Sequence, residues 1–284
     1  MNILFIFAHS MPIEGNCNIV NSWNDKVVVI TGGTAGVGKS LANAMQQAGA
    51  QTVVIARNPD RLEQPDDSSA GSLHALQGDV TDDCSMQQAV NQIIEQFGKI
   101  DVWVNNVGKS CRGEAKTTSV EEFRDFIDFN FLSAVRCTNL ALPHLIQSQG
   151  SLVNIGSLAS KTGGFYMGPY PASKFPLAGY SQQLRLELES EQVHVLLVCP
   201  GPIAREDSGN RYSTDDLPES ARQPGGGVKI SRLQPQFLAQ KILKALSQRK
   251  KELILPKSAK WLFALAQLSP SLADWILKRK SNRS

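Results

Sequence analysis
Cysteine is scarce in this chain of 284 residues. There are five, Cys17, Cys84, Cys111, Cys137 and Cys199, an odd number with no C-x-x-C pair. That excludes a disulfide framework and a zinc ribbon, and reads as free thiols in a reducing cytoplasm. Histidine is scarcer: His9, His74, His144 and His194 are dispersed, no two of them at helical spacing, so no metal site is expected. Neither charge sign is in large excess, with 29 Lys+Arg against 26 Asp+Glu and a net charge of +3. Lys278, Arg279, Lys280 and Arg283 supply four positive charges with no acid among the last seven residues, which leaves residues 1–277 at −1. A body without a basic face argues against a nucleic-acid partner. No apolar run reaches the ~20 residues needed to cross a bilayer. The apolar stretch at 3–8 is short and lacks a preceding basic segment, so residues 1–24 are read as a poorly ordered leader, with a weak signal peptide as the alternative.

What is present is a globule with 42% apolar and 19% charged residues, long enough to bury a full core. Residues 26–31 (KVVVIT) form a continuous β-branched run, the signature of a strand buried on both faces. A glycine cluster and a helical stretch ending at Gly49 follow, then a strand at 51–56. Residues 58–78 are polar, with Pro59, Pro65 and Gly71, and hold at most a short helix. Beyond them the pattern alternates: helix 84–97, strand 100–105, a long helix 121–145, strand 151–155, helix 172–189, strand 193–199. This predicts an α/β fold, a doubly wound Rossmann-type parallel sheet flanked by helices, over residues 25–256. Residues 202–230, rich in Gly and Pro, break the rhythm after a strand end and are read as a substrate loop. A helix at 234–246 and a strand at 252–255 close the domain, and 257–284 is a hydrophobic extension with a basic tail.

The glycine loop fits two templates. Residues 33–40 satisfy G-x-x-x-x-G-K-S, the phosphate loop of nucleotide hydrolases. Residues 31–38 satisfy T-G-x-x-x-G-x-G, a dinucleotide loop. Both place phosphate at a helix N-terminus. A hydrolase also needs an acid after an apolar strand to hold magnesium. The strand ends read Arg57, Asn105-Asn106, Gly156-Ser157 and Cys199-Pro200, with no Asp or Glu, so the hydrolase is kept only as the alternative.

The remaining motifs decide the matter. Asn105-Asn-Val-Gly108 follows the fourth strand, Asn130 lies in the next helix, and Ser157 follows the fifth strand. Tyr170-Pro-Ala-Ser-Lys174 has the form Y-x-x-x-K, thirteen positions beyond Ser157, and Pro200-Gly201 follows the sixth strand. In this ordered set, over residues 26 to about 255, the chain resembles the short-chain dehydrogenase/reductase family. The resemblance implies an oxidoreductase that interconverts a carbonyl and an alcohol by hydride transfer to or from a nicotinamide, assembled as a homodimer or homotetramer. A cofactor-binding sensor or scaffold without catalysis is the third reading.

Hydride addition to a carbonyl leaves an alkoxide that needs a proton. Tyr170 is the expected donor. Tyrosine ordinarily titrates near ~10, so it needs help at neutral pH. Lys174, one helical turn on, shares its face, and its charge favours the tyrosinate. By resemblance Lys174 also bonds the nicotinamide ribose, Ser157 holds the substrate oxygen, and Asn130 anchors a water that links Lys174 to solvent. The same resemblance assigns cofactor contacts to Gly32, Thr34, Gly36, Val37 and Gly38 in the loop, Asn106 and Gly108, Asp79 and Val80 beside adenine, and Pro200 and Gly201. Val107 stands for the family's alanine and Gly156 for its frequent serine. Pro176 is expected to kink its helix.

NAD-specific folds place an acid at the end of the second strand. Here that position reads Ala56-Arg57-Asn58, and Arg57 offers a planar cation suited to a 2′-phosphate, so NADP(H) is expected over NAD(H). At 261–277, 12 of 17 residues are apolar, interrupted by Ser269-Pro-Ser271 and Asp274. Two readings stay open for this segment: a pair of short helices lying on a membrane, peripherally attached, or a helical cap or dimer contact. Comparable extensions occur in some hydroxysteroid and keto-sphingoid reductases of the family, which hints at a lipophilic substrate.

Overall fold
The computed structural model describes residues 23–62, 70–204, 217–218, 221 and 231–281. Residues 1–22 of the expected leader and most of the 202–230 loop lie outside the described residues. Trp23, assigned to the leader by sequence, packs into the core.

The elements follow in the order β1 (Val27–Thr31), α1 (Gly36–Gln47), β2 (Gln51–Ala56), β3 (Ser72–Gln77), α2 (Asp83–Phe97), β4 (Val102–Asn105), α3 (Val120–Ile127), α4 (Ser133–Ser148), β5 (Ser151–Ile155), α5 (Tyr170–Glu187), β6 (His194–Pro200), α6 (Pro235–Ser247), β7 (Glu252–Leu255), α7 (Ala259–Leu268) and α8 (Pro270–Ser281). The seven strands form one sheet in the order β3-β2-β1-β4-β5-β6-β7. Every pairing is parallel. The expected Rossmann-type single domain is therefore the observed fold.

Strand residues alternate between two cores, as a period of two requires. Val28 and Ile30 join Leu41, Met45, Leu238 and Ile242 on the face covered by α1 and α6. Val27 and Val29 join Met86, Ile93, Leu145 and Leu184 on the face covered by α2, α4 and α5. With both faces buried, β1 has no polar side to betray an orientation, hence its unbroken VVVIT.

Two elements differ from the sequence reading. Among the described residues of 58–78 lie a 3-10 turn at Pro59–Arg61 and the strand β3. It is an edge strand whose residues are mostly half-buried, so SLHALQ lacks the apolar run that marks the central strands. The expected helix 121–145 is broken by a π-helical turn at Asp128–Leu132, where the Ser133 N–H bonds the Asp128 carbonyl. The Ser133 hydroxyl takes up the Phe129 carbonyl at 2.6 Å. By contrast, α5 runs on through Pro176, so the expected irregularity does not interrupt it. Pro171 sits in its first turn, where a missing N–H costs nothing.

The chain passes outward from β1 to β3 and then returns to β4 on the other side of β1. Open α/β sheets bind ligands beyond the strand C-termini at such a reversal. The glycine loop follows β1, Arg57 follows β2, Asn106 and Gly108 follow β4, and Ser157 follows β5. The topology alone thus gathers these residues at one edge of the sheet.

Candidate active site
The loop between β1 and α1 is pinned from β4. Asn106 Nδ2 donates to the carbonyls of Thr31 and Gly32 at 3.0 and 2.9 Å, and its backbone N–H donates to Thr31 Oγ1 at 3.1 Å. Asn106, expected as a cofactor contact, therefore spends its side-chain amide on holding the loop. Gly38 makes that approach possible: a Cβ there would lie 2.5 Å from the Gly32 carbonyl and 2.6 Å from Asn106 Nδ2. Helix α1 starts at an extended Ala35 with no side-chain cap and no acid in its first turn. Its first amides and positive dipole end suit an anion such as a dinucleotide diphosphate. Thr34 and Gly36 lie in this turn, Gly36 exposed, while Val37 packs partly onto the core.

Arg57 and Asn58 are exposed just past β2. Arg57, Gln77, Asp79 and Ser85 border an open depression of about 260 Å³. Asp79 is committed locally: its Oδ1 accepts from the Thr81 N–H at 2.9 Å and from the Thr81 hydroxyl at 2.7 Å. The Thr81 backbone bond, with the Arg57 charge as a lesser cause, holds the Asp79 carboxyl below its usual range. The Val80 side chain lies in the core, so only its backbone can reach a ligand. Pro200 and Gly201 are buried, with the Gly201 N–H bonded to the Leu255 carbonyl at 2.7 Å.

The catalytic candidates come from the π-helical turn (Asn130), the turn after β5 (Ser157) and α5 (Tyr170 and Lys174). Lys174 is buried, and its Nζ donates to the Ile155 carbonyl at the end of β5, at 3.1 Å. Burial pushes its pKa down to about 8. Gly108 leaves room for it: a Cβ there would lie 3.0 Å from Lys174 Nζ and 3.3 Å from Asn130 Oδ1. Lys174 Nζ and Asn130 thus stand on one side of the same glycine. Tyr170 opens α5 half-buried, one turn before Lys174.

Asn130 is fully engaged. Its Oδ1 accepts from the Lys109 N–H at 2.8 Å, and its Nδ2 donates to the Lys109 carbonyl at 2.9 Å and to Ser173 Oγ at 2.8 Å. Ser173 Oγ in turn donates to the Tyr170 carbonyl at 2.8 Å. The side-chain amide therefore clamps the loop after β4 to α5. Ser173, absent from the sequence-derived site, is the link between Asn130 and the Tyr170 turn. Its signal was its place inside Y-x-x-x-K. Ser173→Ala is expected to strand a buried Asn130 donor, costing about 1–3 kcal/mol in denaturant unfolding. Nucleotide affinity should stay unchanged while kcat falls.

Ser157 caps a short 3-10 turn, its Oγ accepting from the Ala159 N–H at 3.1 Å. A hydroxyl accepting one bond still has its own proton to donate. Gly156 is explained by the next turn. Ser160 Oγ accepts from the Ser157 N–H at 3.1 Å and would stand 2.7 Å from a Cβ at 156. Val107 packs partly into the core, its Cγ2 2.8 Å from where a Gly32 Cβ would lie.

Sequence reasoning also missed the wall beside Tyr170. The Gly113 N–H bonds the Tyr166 carbonyl at 3.2 Å, and the Gly168 N–H returns to the Gly113 carbonyl at 2.8 Å. Cys111 lies in this seam, its thiol on the Met167 carbonyl, and burial raises its pKa. Arg112 Nε donates to the Ala221 carbonyl at 3.0 Å, tying the seam to the expected substrate loop.

The family model for short chain dehydrogenase matches residues 26–216. An uncharacterized oxidoreductase of Bacillus subtilis, YxnA, is 31% identical over 90% of this chain and 72% of its own length. A 3-ketodihydrosphingosine reductase of Bacteroides thetaiotaomicron is 33% identical over 66% of this chain and 67% of its own. The crystal structure of a short-chain dehydrogenase from Streptomyces avermitilis superimposes with a TM-score of 0.76 at 26% identity, covering 91% of this chain and 97% of that one. The chain belongs to the short-chain dehydrogenase/reductase family, a family of oxidoreductases that bind a nicotinamide dinucleotide. The nucleotide-hydrolase reading of residues 33–40 is thereby set aside.

Proposed function
We propose that this protein is an NADP(H)-dependent oxidoreductase that interconverts a ketone or aldehyde and an alcohol, with Tyr170 as the general acid/base. The observation that carries the reading is Lys174: a buried amine one turn from Tyr170, hydrogen-bonded to the end of β5 and beside Asn130. Burying a lysine amine costs stability, and such costly buried groups cluster at functional sites.

The dinucleotide fits the residues present. The uncapped start of α1 and the side-chain-free face at Gly38 suit the diphosphate. The exposed Arg57 guanidinium suits a 2′-phosphate. A bound nicotinamide supplies or accepts the hydride. The chain's own part is to place the carbonyl oxygen between Ser157 Oγ–H and the Tyr170 hydroxyl, and to deliver the proton from Tyr170 as charge grows on that oxygen. Lys174 favours the tyrosinate that remains, and its own proton exchanges with solvent through a water that Asn130 would anchor.

A lipophilic carbonyl, fatty-acyl, sphingoid or steroid-like, is the proposed substrate class. The relative named as a 3-ketodihydrosphingosine reductase and the apolar C-terminal helices support it. The homodimer or homotetramer implied by the family belongs to the same reading, with Phe175 and Leu186 on α5 exposed for it. The direct test is nucleotide oxidation over a panel of long-chain ketones. Turnover with NADPH supports the reading. Nucleotide binding without turnover on any carbonyl favours the sensor or scaffold.

Arg57→Glu is expected to lower kcat/KM for NADPH relative to NADH. Loss of a charge-assisted bond worth about 1.5–3 kcal/mol corresponds to roughly 10- to 100-fold. An unchanged ratio would remove Arg57 from cofactor recognition.

A further inference from the structure
The last two helices pack against each other and expose several large apolar side chains. Helix α7 touches β7 at the edge of the sheet and α8 beyond it. Of their large apolar side chains, Phe263 turns into the protein. Trp261 (77% exposed), Leu265 and Leu268 (84%) stand at i, i+4 and i+7 on one face of α7. Leu272 and Trp275 (54%) are exposed on α8.

Such a face needs a cover, and the charge around it says which. Lys257, Lys260, Lys278 and Arg279 are exposed at its two ends, and the Arg279 guanidinium lies over the Trp275 ring at 5.1 Å. From residue 257 onward the sequence holds six Lys and Arg against one acid, Asp274. A second copy would bring the same cations against these, so self-association across this face is opposed by like charge. An anionic surface is matched. Among the described residues no helix is long and apolar enough to cross a membrane. Tryptophans and leucines beside lysine and arginine suit the headgroup boundary, where aromatic rings settle and cations meet lipid phosphate.

We propose that α7 and α8 form a membrane-surface anchor that docks the enzyme on anionic phospholipid through Trp261, Leu265, Leu268, Leu272 and Trp275. This goes beyond the catalytic reading and does not depend on the substrate class.

The test is co-sedimentation of the full chain with phosphatidylcholine vesicles, with and without phosphatidylglycerol. Binding is expected only where phosphatidylglycerol is present and is expected to weaken as salt rises. Leu268→Glu, and separately the pair Lys278→Glu and Arg279→Glu, should each reduce binding roughly tenfold or more. All of these side chains are exposed, so the NADPH-induced thermal shift should be the same as in the unmodified chain. Three results would overturn the proposal. One is equal binding to both kinds of vesicle or to neither. Another is binding that both variants leave intact. The third is no vesicle binding, with a solution mass that falls on Leu268→Glu, which would assign the face to a second copy.

Discussion

Tyr170→Phe is expected to leave NADPH binding within a factor of about two while kcat/KM drops by roughly 100- to 10,000-fold, the range a positioned general acid contributes. The change removes one oxygen and keeps the ring, so half-buried packing at the start of α5 survives. The backbone there is held independently of the phenol. The Tyr170 N–H bonds the Met167 carbonyl at 3.2 Å, and Ser173 Oγ bonds the Tyr170 carbonyl. Lys174 keeps its bond to Ile155. Loss of turnover with intact nucleotide titration therefore isolates proton transfer from folding and from cofactor binding. Turnover within tenfold of the parent would remove Tyr170 as the acid. The proton would then have to come from Ser157 or from water.

How far the sequence could be read depended on where each segment sits in the sheet. The central strands β1 and β2 are buried on both faces and announce themselves as β-branched runs. The edge strand β3, half-exposed and built of Ser, His, Ala and Gln among two leucines, has too little apolar contrast to be delimited. The helix with Asn130 was legible, but its π-helical turn was not. One inserted residue shifts the ladder locally while the apolar pattern on either side still reads as one helix. That shift places the Asn130 amide between Lys109 and Ser173, a contact no spacing rule encodes. The motif residues could be singled out in the sequence because the chemistry proposed for them is tied to fixed spacing. Asn106 was singled out by its motif, and the fold adds that its side chain braces the glycine loop. The outer face of the C-terminal helices was visible only as apolar content. Which side chains point outward required the fold, because Phe263 and Trp261 are two positions apart and differ completely in exposure.

Lys174→Met is expected to abolish useful turnover and at the same time stabilise the nucleotide-free protein at neutral pH. Lys174 is buried with its folded-state pKa lowered to about 8 from an ordinary 10.5. Below pH 8 both folded and unfolded chains carry the proton, and the folded state bears the whole cost of the desolvated charge, about 3 kcal/mol. Between pH 8 and 10.5 the unfolded chain binds more protons, so this group's contribution to stability rises with pH and its penalty is gone above that window. Methionine removes the charge and keeps most of the volume. It also leaves the Ile155 carbonyl without its donor, at a cost of about 1 kcal/mol. The variant should thus gain about 2 kcal/mol in urea unfolding at pH 7 and lose that advantage by about pH 10. Turnover should fall by about 100-fold or more, because Tyr170 loses the charge that favours its deprotonated form. A variant less stable than the parent at pH 7, by the same margin at pH 10, would mean that Lys174 is an ordinary packed side chain and not a strained catalytic one. The stability forfeited at this position is then a measure of what the site spends to hold an amine beside Tyr170.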